Sequence, residues 1–187
     1  MLGGMRAEEV QSDITRVLVT EEQIRAKLDE IAAQVTVDYE GKELLLVGVL
    51  KGAVMVMADF ARALPTHVTM DWMAVSSYGT GTRSSGVVQI RKDLDTDLHG
   101  KHVLIVEDII DSGLTLSWLL TNFASRGAAS VEVFALFRKP DAAKVEVDCR
   151  YIGFDIPNEF VVGYGLDYAE KYRNLRDVAV LAPHVYS

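Results

Sequence analysis

Three carboxylates follow an apolar run in the stretch VLIVEDIIDSGLT, which spans residues 103–115. They are Glu107, Asp108 and Asp111, and a buried strand rarely carries acids at its tip without a reason. Glu107 and Asp108 can accept hydrogen bonds from sugar hydroxyls or from metal-bound water. Asp111 stands closer to a small-residue turn, where a carboxylate is well placed to transfer a proton.

The turn at residues 111–115 has the composition of a phosphate site. Ser112 and Thr115 supply hydroxyls, Gly113 lets backbone amides approach a ligand, and a helix beginning here adds free N–H groups. The turn is not a Walker A loop, because the G-K-[ST] of that motif is absent. Taken alone, it also fits an ordinary Ser/Thr helix cap. Beside the acids, it predicts a site for a phosphate and a diol together, as in a ribose 5-phosphate.

Alternating helices and strands must position this stretch. Thr20 and Gln23 form a capping-box pattern at the start of the first predicted helix. Helices are predicted over residues 20–35, 52–64 and 114–127; strands over 43–50, 67–78, 87–93, 101–109 and 130–139; and extended chain over 160–167 and 177–183. This order predicts an α/β fold with a parallel sheet, and ligands bind such sheets beyond the carboxyl ends of the strands.

Composition limits the class of protein. The 187 residues suit a single domain over 1–187, and the net charge of −8 with a pI near 5.0 argues against a nucleic-acid surface. One cysteine, Cys149, cannot form a disulfide within the chain, which favours a reduced, cytoplasmic protein. Residues 1–10 lack the apolar segment of a secretory signal, and the longest apolar stretch, 44–50, is far too short to span a membrane.

Residues 103–115 closely resemble the signature of the type I phosphoribosyltransferases, which use 5-phosphoribosyl-1-pyrophosphate (PRPP). The resemblance implies that Glu107 and Asp108 contact the ribose hydroxyls and that the turn holds the 5-phosphate. It implies an α/β fold with a mostly parallel central sheet flanked by helices, a small hood region and a mobile active-site loop. The substrate-binding stretch also includes Ile109, Ile110 and Leu114.

Further segments resemble the hypoxanthine-guanine branch of that family. They are VLKGAVMVMADF (49–60), SSYG (76–79), FRKP (137–140) and FVVGYGLDYAEKYRNL (160–175). The resemblance covers residues 14–183, nearly the whole chain. Relatives of the mammalian type carry a lysine where Leu114 stands, so one possible phosphate contact is missing and the chain resembles the bacterial members.

The resemblance assigns one set of residues to the leaving pyrophosphate. Lys51 and Gly52 resemble a loop whose backbone contacts pyrophosphate, and Arg173 resembles a cation on the same group. A bound Mg²⁺ is implied as the main source of positive charge, with Asp167 holding the metal through waters. The implied metal-contacting carboxylates are Glu107, Asp108 and Asp167.

A second set is implied for the purine base. Lys139 resembles the lysine that donates to the 6-oxo group, which suits hypoxanthine or guanine and opposes adenine. Phe160 resembles the aromatic residue that stacks on the base, and the backbones of Val161 and Asp167 resemble those that read its edge. Asp111 resembles the general base or acid at purine N7.

The glycine-rich stretch SSYGTGTRSSG (76–86) resembles a mobile loop that closes over the site, with Ser77 and Tyr78 covering the pyrophosphate. The family implies a homodimer or homotetramer, with small-molecule substrates and neither nucleic-acid nor membrane partners.

Two other functions remain to be weighed. A regulator that senses PRPP and binds nucleic acid needs a basic face or an added domain, which this acidic chain lacks. A transferase for a pyrimidine is opposed by Lys139 and Phe160, whereas xanthine, which shares the 6-oxo group, is not excluded.

Overall fold

The structure is a computed structural model that describes residues 4–77 and 88–187. Its centre is a six-stranded sheet in the order β4-β3-β2-β5-β6-β7. These strands are β2 (Leu44–Leu50), β3 (Thr69–Ser77), β4 (Val88–Lys92), β5 (His102–Ile110), β6 (Ser130–Arg138) and β7 (Tyr151–Asp155). All neighbours pair in parallel except β4, which runs antiparallel to β3 at one edge.

Helices cover both faces of this sheet, as a parallel sheet requires. They are α1 (Glu21–Asp38), α2 (Val54–Ala63) and α3 (Leu114–Ser125). The predicted capping box is confirmed by two hydrogen bonds. The Thr20 hydroxyl accepts from the Gln23 backbone N–H, and the Gln23 side-chain oxygen accepts from the Thr20 backbone N–H. The first helix continues to Asp38, three residues beyond the predicted end.

Two apolar clusters hold these layers together. Alternate residues of β2 and β5 point to opposite faces: Leu46 and Leu104 join the cluster around α1 and α2, whereas Val47 and Ile105 join the cluster around α3. The middle residues of β2 and β5 are fully buried, which is why these strands contain continuous apolar runs.

A second, smaller sheet forms the expected hood region. It consists of β1 (Ile14–Val19), β9 (Val178–Leu181) and β8 (Val161–Val162), all antiparallel, in the order β1-β9-β8. A last short helix, α4 (Pro183–Tyr186), follows β9. This sheet brings a strand near the start of the sequence against one near its end.

The predicted fold class is confirmed, with local differences. No strand was predicted at β1 or at β7, and residues 160–167 were expected to be extended throughout. Beyond β8 that expectation is wrong, because the backbone N–H groups of Tyr164 and Gly165 donate to carbonyls of Leu175 and Arg173 and fold the chain back on itself.

Some sequence-based expectations lie outside the described residues. Tyr78 and most of the predicted mobile loop are among them, and the single-domain assignment for 1–187 stays a prediction. Within the described ranges, no helix is long and apolar enough to cross a membrane.

Candidate active site

A cavity of about 230 Å³ opens at the carboxyl end of β5. The sequence predicts a ligand site at this edge of the sheet, and the cavity lies there. It is lined by residues 107–113, Thr115 and Leu116, so it includes all three acids of the predicted signature and most of its turn. Leu114, the first residue of α3, is half-buried but does not line the cavity.

The two leading acids sit in an irregular part of β5. Val106 packs on the face of the sheet that α1 and α2 cover. Regular alternation would then place Ile109 on the opposite face, which α3 covers. Instead Ile109 packs on the same face as Val106, and Ile110 packs on the α3 face. The alternation therefore shifts by one residue between Val106 and Ile110, where Glu107 and Asp108 lie. The Asp108 carboxylate accepts a hydrogen bond from the Ile109 backbone N–H at 2.8 Å.

Both acids are poorly solvated. Glu107 is only 6% exposed, and burial together with the nearby Asp108 raises its pKa well above the usual value. Burial also raises the pKa of Asp108 to about 6, although the hydrogen bond from Ile109 opposes this shift. The protein holds two carboxylates where their charge is costly, and a cation or several hydroxyl donors would relieve that cost.

The turn after β5 is shaped as an anion cradle. Gly113 has a φ of +79° and is the N-cap residue of α3. Because it has no side chain, the first N–H groups of the helix are left without a side-chain cap. A Cβ at this position would lie 2.5 Å from the Val145 carbonyl oxygen. The Ser112 carbonyl accepts from the N–H groups of Lys144 and Val145 at 3.0 and 3.2 Å. These two hydrogen bonds fix the turn to the segment that connects β6 and β7.

Two glycines allow three loops to meet beside Asp108. A Cβ on Gly52 would overlap the Asp108 carboxylate, and a Cβ on Gly165 would overlap the Gly52 carbonyl oxygen. The peptide bond between Leu50 and Lys51 is cis. The close approaches at the two glycines bring the predicted pyrophosphate loop at Lys51 and Gly52 directly against the tip of β5 and against the segment that carries Asp167.

Charged side chains next to these loops form a network. Arg173 pairs with Asp167 at 2.9 Å and with Glu170 at 3.3 Å, and donates to the Gly165 carbonyl at 2.7 Å. Glu170 also pairs with Lys51 at 3.0 Å. Within the described ranges, the buried Nε of Arg173 has no hydrogen-bond partner. One carboxylate, that of Glu170, thus bridges two cations of the predicted pyrophosphate site.

Lys139 lies at the end of β6, next to the tip of β5. Its backbone N–H donates to the Ile110 carbonyl at 2.9 Å, and the residue is only 8% exposed. Across residues 4–77 and 88–187, no carboxylate forms an ion pair with its ammonium group. A nearly buried cationic donor without an acidic partner is suited to a polar acceptor on a ligand.

Phe160 immediately precedes β8 and is 39% exposed. Its carbonyl accepts from the Leu181 N–H at 2.8 Å, which fixes its backbone to β9. Val161 is buried in β8. The Phe160 ring packs against the rings of Tyr168 and Tyr186.

Asp111 is exposed and lines the cavity between the acid pair and Ser112. Ser77 is the last residue of β3, while Tyr78 lies outside the described residues. Sequence reasoning missed Glu170, Tyr186 and the support from the 144–145 connection. Glu170 lies three residues from both Asp167 and Arg173, so its spacing offered a signal, whereas the other two depend on tertiary contacts.

The residues present fit a magnesium ion with few protein ligands. Both Asp167 oxygens are engaged, one with Arg173 and the other with the Glu170 N–H at 2.9 Å. In the part of the chain that the structure describes, no three or more His, Cys, Asp or Glu side chains gather closely enough to hold a metal. Mg²⁺ is commonly bound through one or two carboxylates, waters and substrate phosphates, and Glu107 and Asp108 supply such carboxylates.

A phosphoribosyl transferase domain is matched over residues 18–169. Because this range covers most of the 187 residues, the chain belongs to the phosphoribosyltransferase family. The family assignment made from the sequence is confirmed.

Three similar bacterial proteins carry closely related names. The hypoxanthine-guanine phosphoribosyltransferase of Mycobacterium tuberculosis strain H37Rv is 54% identical, with 98% of this chain and 94% of that protein covered. The enzyme of the same name from Streptococcus agalactiae serotype V is 52% identical, with 95% and 99% covered. A crystal structure of a hypoxanthine phosphoribosyltransferase from Staphylococcus aureus has a TM-score of 0.92 at 47% identity, with 96% and 97% covered.

Proposed function

We propose that this chain condenses hypoxanthine or guanine with PRPP to give IMP or GMP and pyrophosphate, a purine salvage reaction. The observation that carries the proposal is the cavity at the tip of β5, where a buried acid pair adjoins an uncapped helix N-terminus. The bacterial relatives named above support the choice of base.

The cavity residues divide between the two ends of the ribose phosphate. Ser112, Gly113, Thr115 and the α3 amides hold the 5-phosphate, because the helix terminus supplies donors and positive potential. Glu107 and Asp108 accept hydrogen bonds from the ribose hydroxyls. The remaining wall of this stretch is formed by Ile109 and Ile110, whose backbone and apolar atoms exclude water, while Leu114 would contribute its backbone N–H as the first residue of α3.

In the reaction, purine N9 forms a bond to C1 of the ribose while the bond from C1 to pyrophosphate breaks. Asp111 takes the proton from purine N7. Glu107 and Asp108, with Asp167 acting through water, would hold a Mg²⁺ ion, which would supply positive charge at the leaving pyrophosphate. The Lys51–Gly52 backbone and the Arg173 guanidinium add donors to the same group.

The base is read by groups from three elements. Lys139 donates to the 6-oxo oxygen, Phe160 stacks on the purine ring, and the backbones of Val161 and Asp167 contact its edge. Ser77, the last residue of β3, and Tyr78, which follows it, cover the pyrophosphate.

A panel of bases tests this proposal. The purified chain is incubated with PRPP, Mg²⁺ and one of hypoxanthine, guanine, xanthine, adenine or uracil, and nucleotide formation is followed. We expect product with hypoxanthine and guanine; product with uracil or xanthine alone would overturn the assignment. Ribose 5-phosphate in place of PRPP is the matched control, since it has the phosphate and diol but lacks the leaving group.

Two properties of the whole molecule complete the proposal. We expect a homodimer or homotetramer, which light scattering on the eluting protein measures directly. A cytoplasmic location agrees with Cys149, whose half-buried thiol has a pKa raised to about 11 by partial desolvation and is therefore not a reactive thiolate.

A further inference from the structure

Tyr186, on α4, lies flat against Phe160. The two ring centroids are 4.9 Å apart and the ring planes differ by 22°, which is a stacked arrangement. Tyr168 meets both rings edge-on, at 5.7 Å from Phe160 and 6.4 Å from Tyr186. The three rings form one aromatic cluster in which each ring touches the other two.

The backbone holds this cluster in place. Hydrogen bonding between Leu181 and Phe160 sets the end of β9 beside the start of β8, so the chain that continues into α4 passes next to the Phe160 ring. Val185 packs against the apolar cluster of Val162, Tyr172, Leu175 and Leu181, which fixes α4 to the hood sheet. Tyr186 therefore reaches Phe160 from a supported helix.

The arrangement leaves Phe160 with one face covered and with 39% of the residue still exposed. A flat ring that stacks on a ligand through one face gains most when its plane is already fixed, because less side-chain freedom is lost on binding. Tyr168 directly follows Asp167, so the same cluster also borders the segment proposed to read the edge of the base.

We infer that Tyr186 is a positioning residue for purine binding: it supports the Phe160 ring from behind and holds it in the plane that the base stacks on. This inference rests on the proposed function and on the stacking role of Phe160 within it. Tyr186 itself touches neither the base nor the sugar, and its effect is confined to the purine.

Three variants of Tyr186 test the inference: Tyr186→Phe, Tyr186→Leu and Tyr186→Ala. Purine KM, PRPP KM, kcat and unfolding temperature are measured for each. We expect Tyr186→Ala and Tyr186→Leu to raise the KM for hypoxanthine and guanine about 2- to 10-fold, the range of an aromatic pair interaction, with PRPP KM and kcat nearly unchanged. Tyr186→Phe retains the ring, so its purine KM should stay close to that of the unaltered protein.

Tyr186→Leu keeps an apolar side chain on α4, so it remains informative where Tyr186→Ala destabilises the fold. A fall in purine KM in either variant would mean that Tyr186 competes with the base for Phe160, and would overturn the inference. An equal rise in the KM values of purine and PRPP would also overturn it, because that pattern indicates a general structural defect.

Phe160→Ala separates this inference from the proposed function. If Phe160→Ala raises purine KM while the Tyr186 variants change nothing, the positioning role is wrong and the stacking role of Phe160 stands. If Phe160→Ala leaves purine KM unchanged while nucleotide is still formed, both the stacking role and the positioning role fail, and the proposed reaction survives.

Discussion

The Lys51 ammonium and the Glu170 carboxylate, 119 residues apart in sequence, form an ion pair at 3.0 Å. Hydrogen bonds from Lys51 and Arg173 lower the pKa of Glu170, so the carboxylate stays charged at neutral pH. This one anion bridges cations beside the loop proposed to hold the leaving pyrophosphate. Pyrophosphate and Glu170 are therefore expected to compete.

We expect Glu170→Gln to strengthen inhibition by pyrophosphate about 2- to 5-fold, the range expected when one exposed ionic competitor is removed. The inhibition constant against PRPP is measured at low and moderate salt, and the gain should shrink as salt rises. Glu43→Gln is the matched control, because Glu43 forms a similar exposed pair with Lys101 at the far end of the strands. Equal effects of the two variants would contradict the competition.

Asp111→Asn removes the proposed proton acceptor while keeping the size of the side chain. We expect kcat to fall by about 10²- to 10⁴-fold, with a much smaller change in PRPP affinity. Steady-state kinetics and PRPP titration by calorimetry measure the two effects, with Asp29→Asn on the exposed side of α1 as the control. Near-normal turnover in Asp111→Asn would exclude Asp111 as the general base.

Lys139→Ala removes the nearly buried donor proposed for the 6-oxo group. The loss of a charge-assisted hydrogen bond should raise the KM for hypoxanthine about 10- to 100-fold and weaken the rejection of adenine. Kinetics with both bases measure the change in preference. Lys42→Ala, on an exposed lysine after α1, should leave that preference intact, and an unaltered preference in Lys139→Ala would remove this residue from the base site.

Gly113→Ala and Gly100→Ala form a matched pair, since both positions have φ near +75° and only one is crowded. In each variant the strained backbone should lower the free energy of unfolding by about 1–2 kcal/mol. Only Gly113→Ala also pushes a Cβ against the Val145 carbonyl, so it should lose more stability and raise the KM for PRPP. Denaturant unfolding and PRPP kinetics compare the two; equal behaviour would argue against a tightly built phosphate turn.

Glu107→Gln should trade function for stability. The folded state raises the pKa of Glu107, so it favours the protonated acid, and stability falls as pH rises from the unfolded pKa of about 4.3 through the higher folded value. At about pH 8, without Mg²⁺ or substrate, the variant should unfold at a higher temperature than the unaltered protein. The expected increase is about 2–4 °C for each kcal/mol by which the free energy of unfolding rises. PRPP binding should weaken.

Unfolding of Glu107→Gln at low pH is the control for this prediction. At about pH 4 Glu107 is protonated in the folded state and mostly protonated in the unfolded state, so the two proteins should unfold at nearly equal temperatures. A stability gain that is the same at pH 4 and pH 8 would show that the charge of Glu107 is not its cause.

Much of the fold was predictable because it is encoded locally. β2 is apolar throughout, β5 and β6 contain the apolar runs VLIV and VFALF, and Thr20 with Gln23 marks the start of α1. β1 and β7 were missed for a related reason. They are short strands with partly exposed, mixed sequences, and they become strands only by pairing with β9 and β6.

The sequence by itself determined the acid pair, the phosphate turn and their common place at one strand tip, since these residues are neighbours in the chain and their spacing is fixed by the backbone. Tertiary structure decided the rest. Gly52 meets Asp108, Lys51 pairs with Glu170, and Tyr186 stacks on Phe160 only because distant segments fold together. Contacts of this kind depend on how loops and sheets pack, and no local pattern in the chain specifies them.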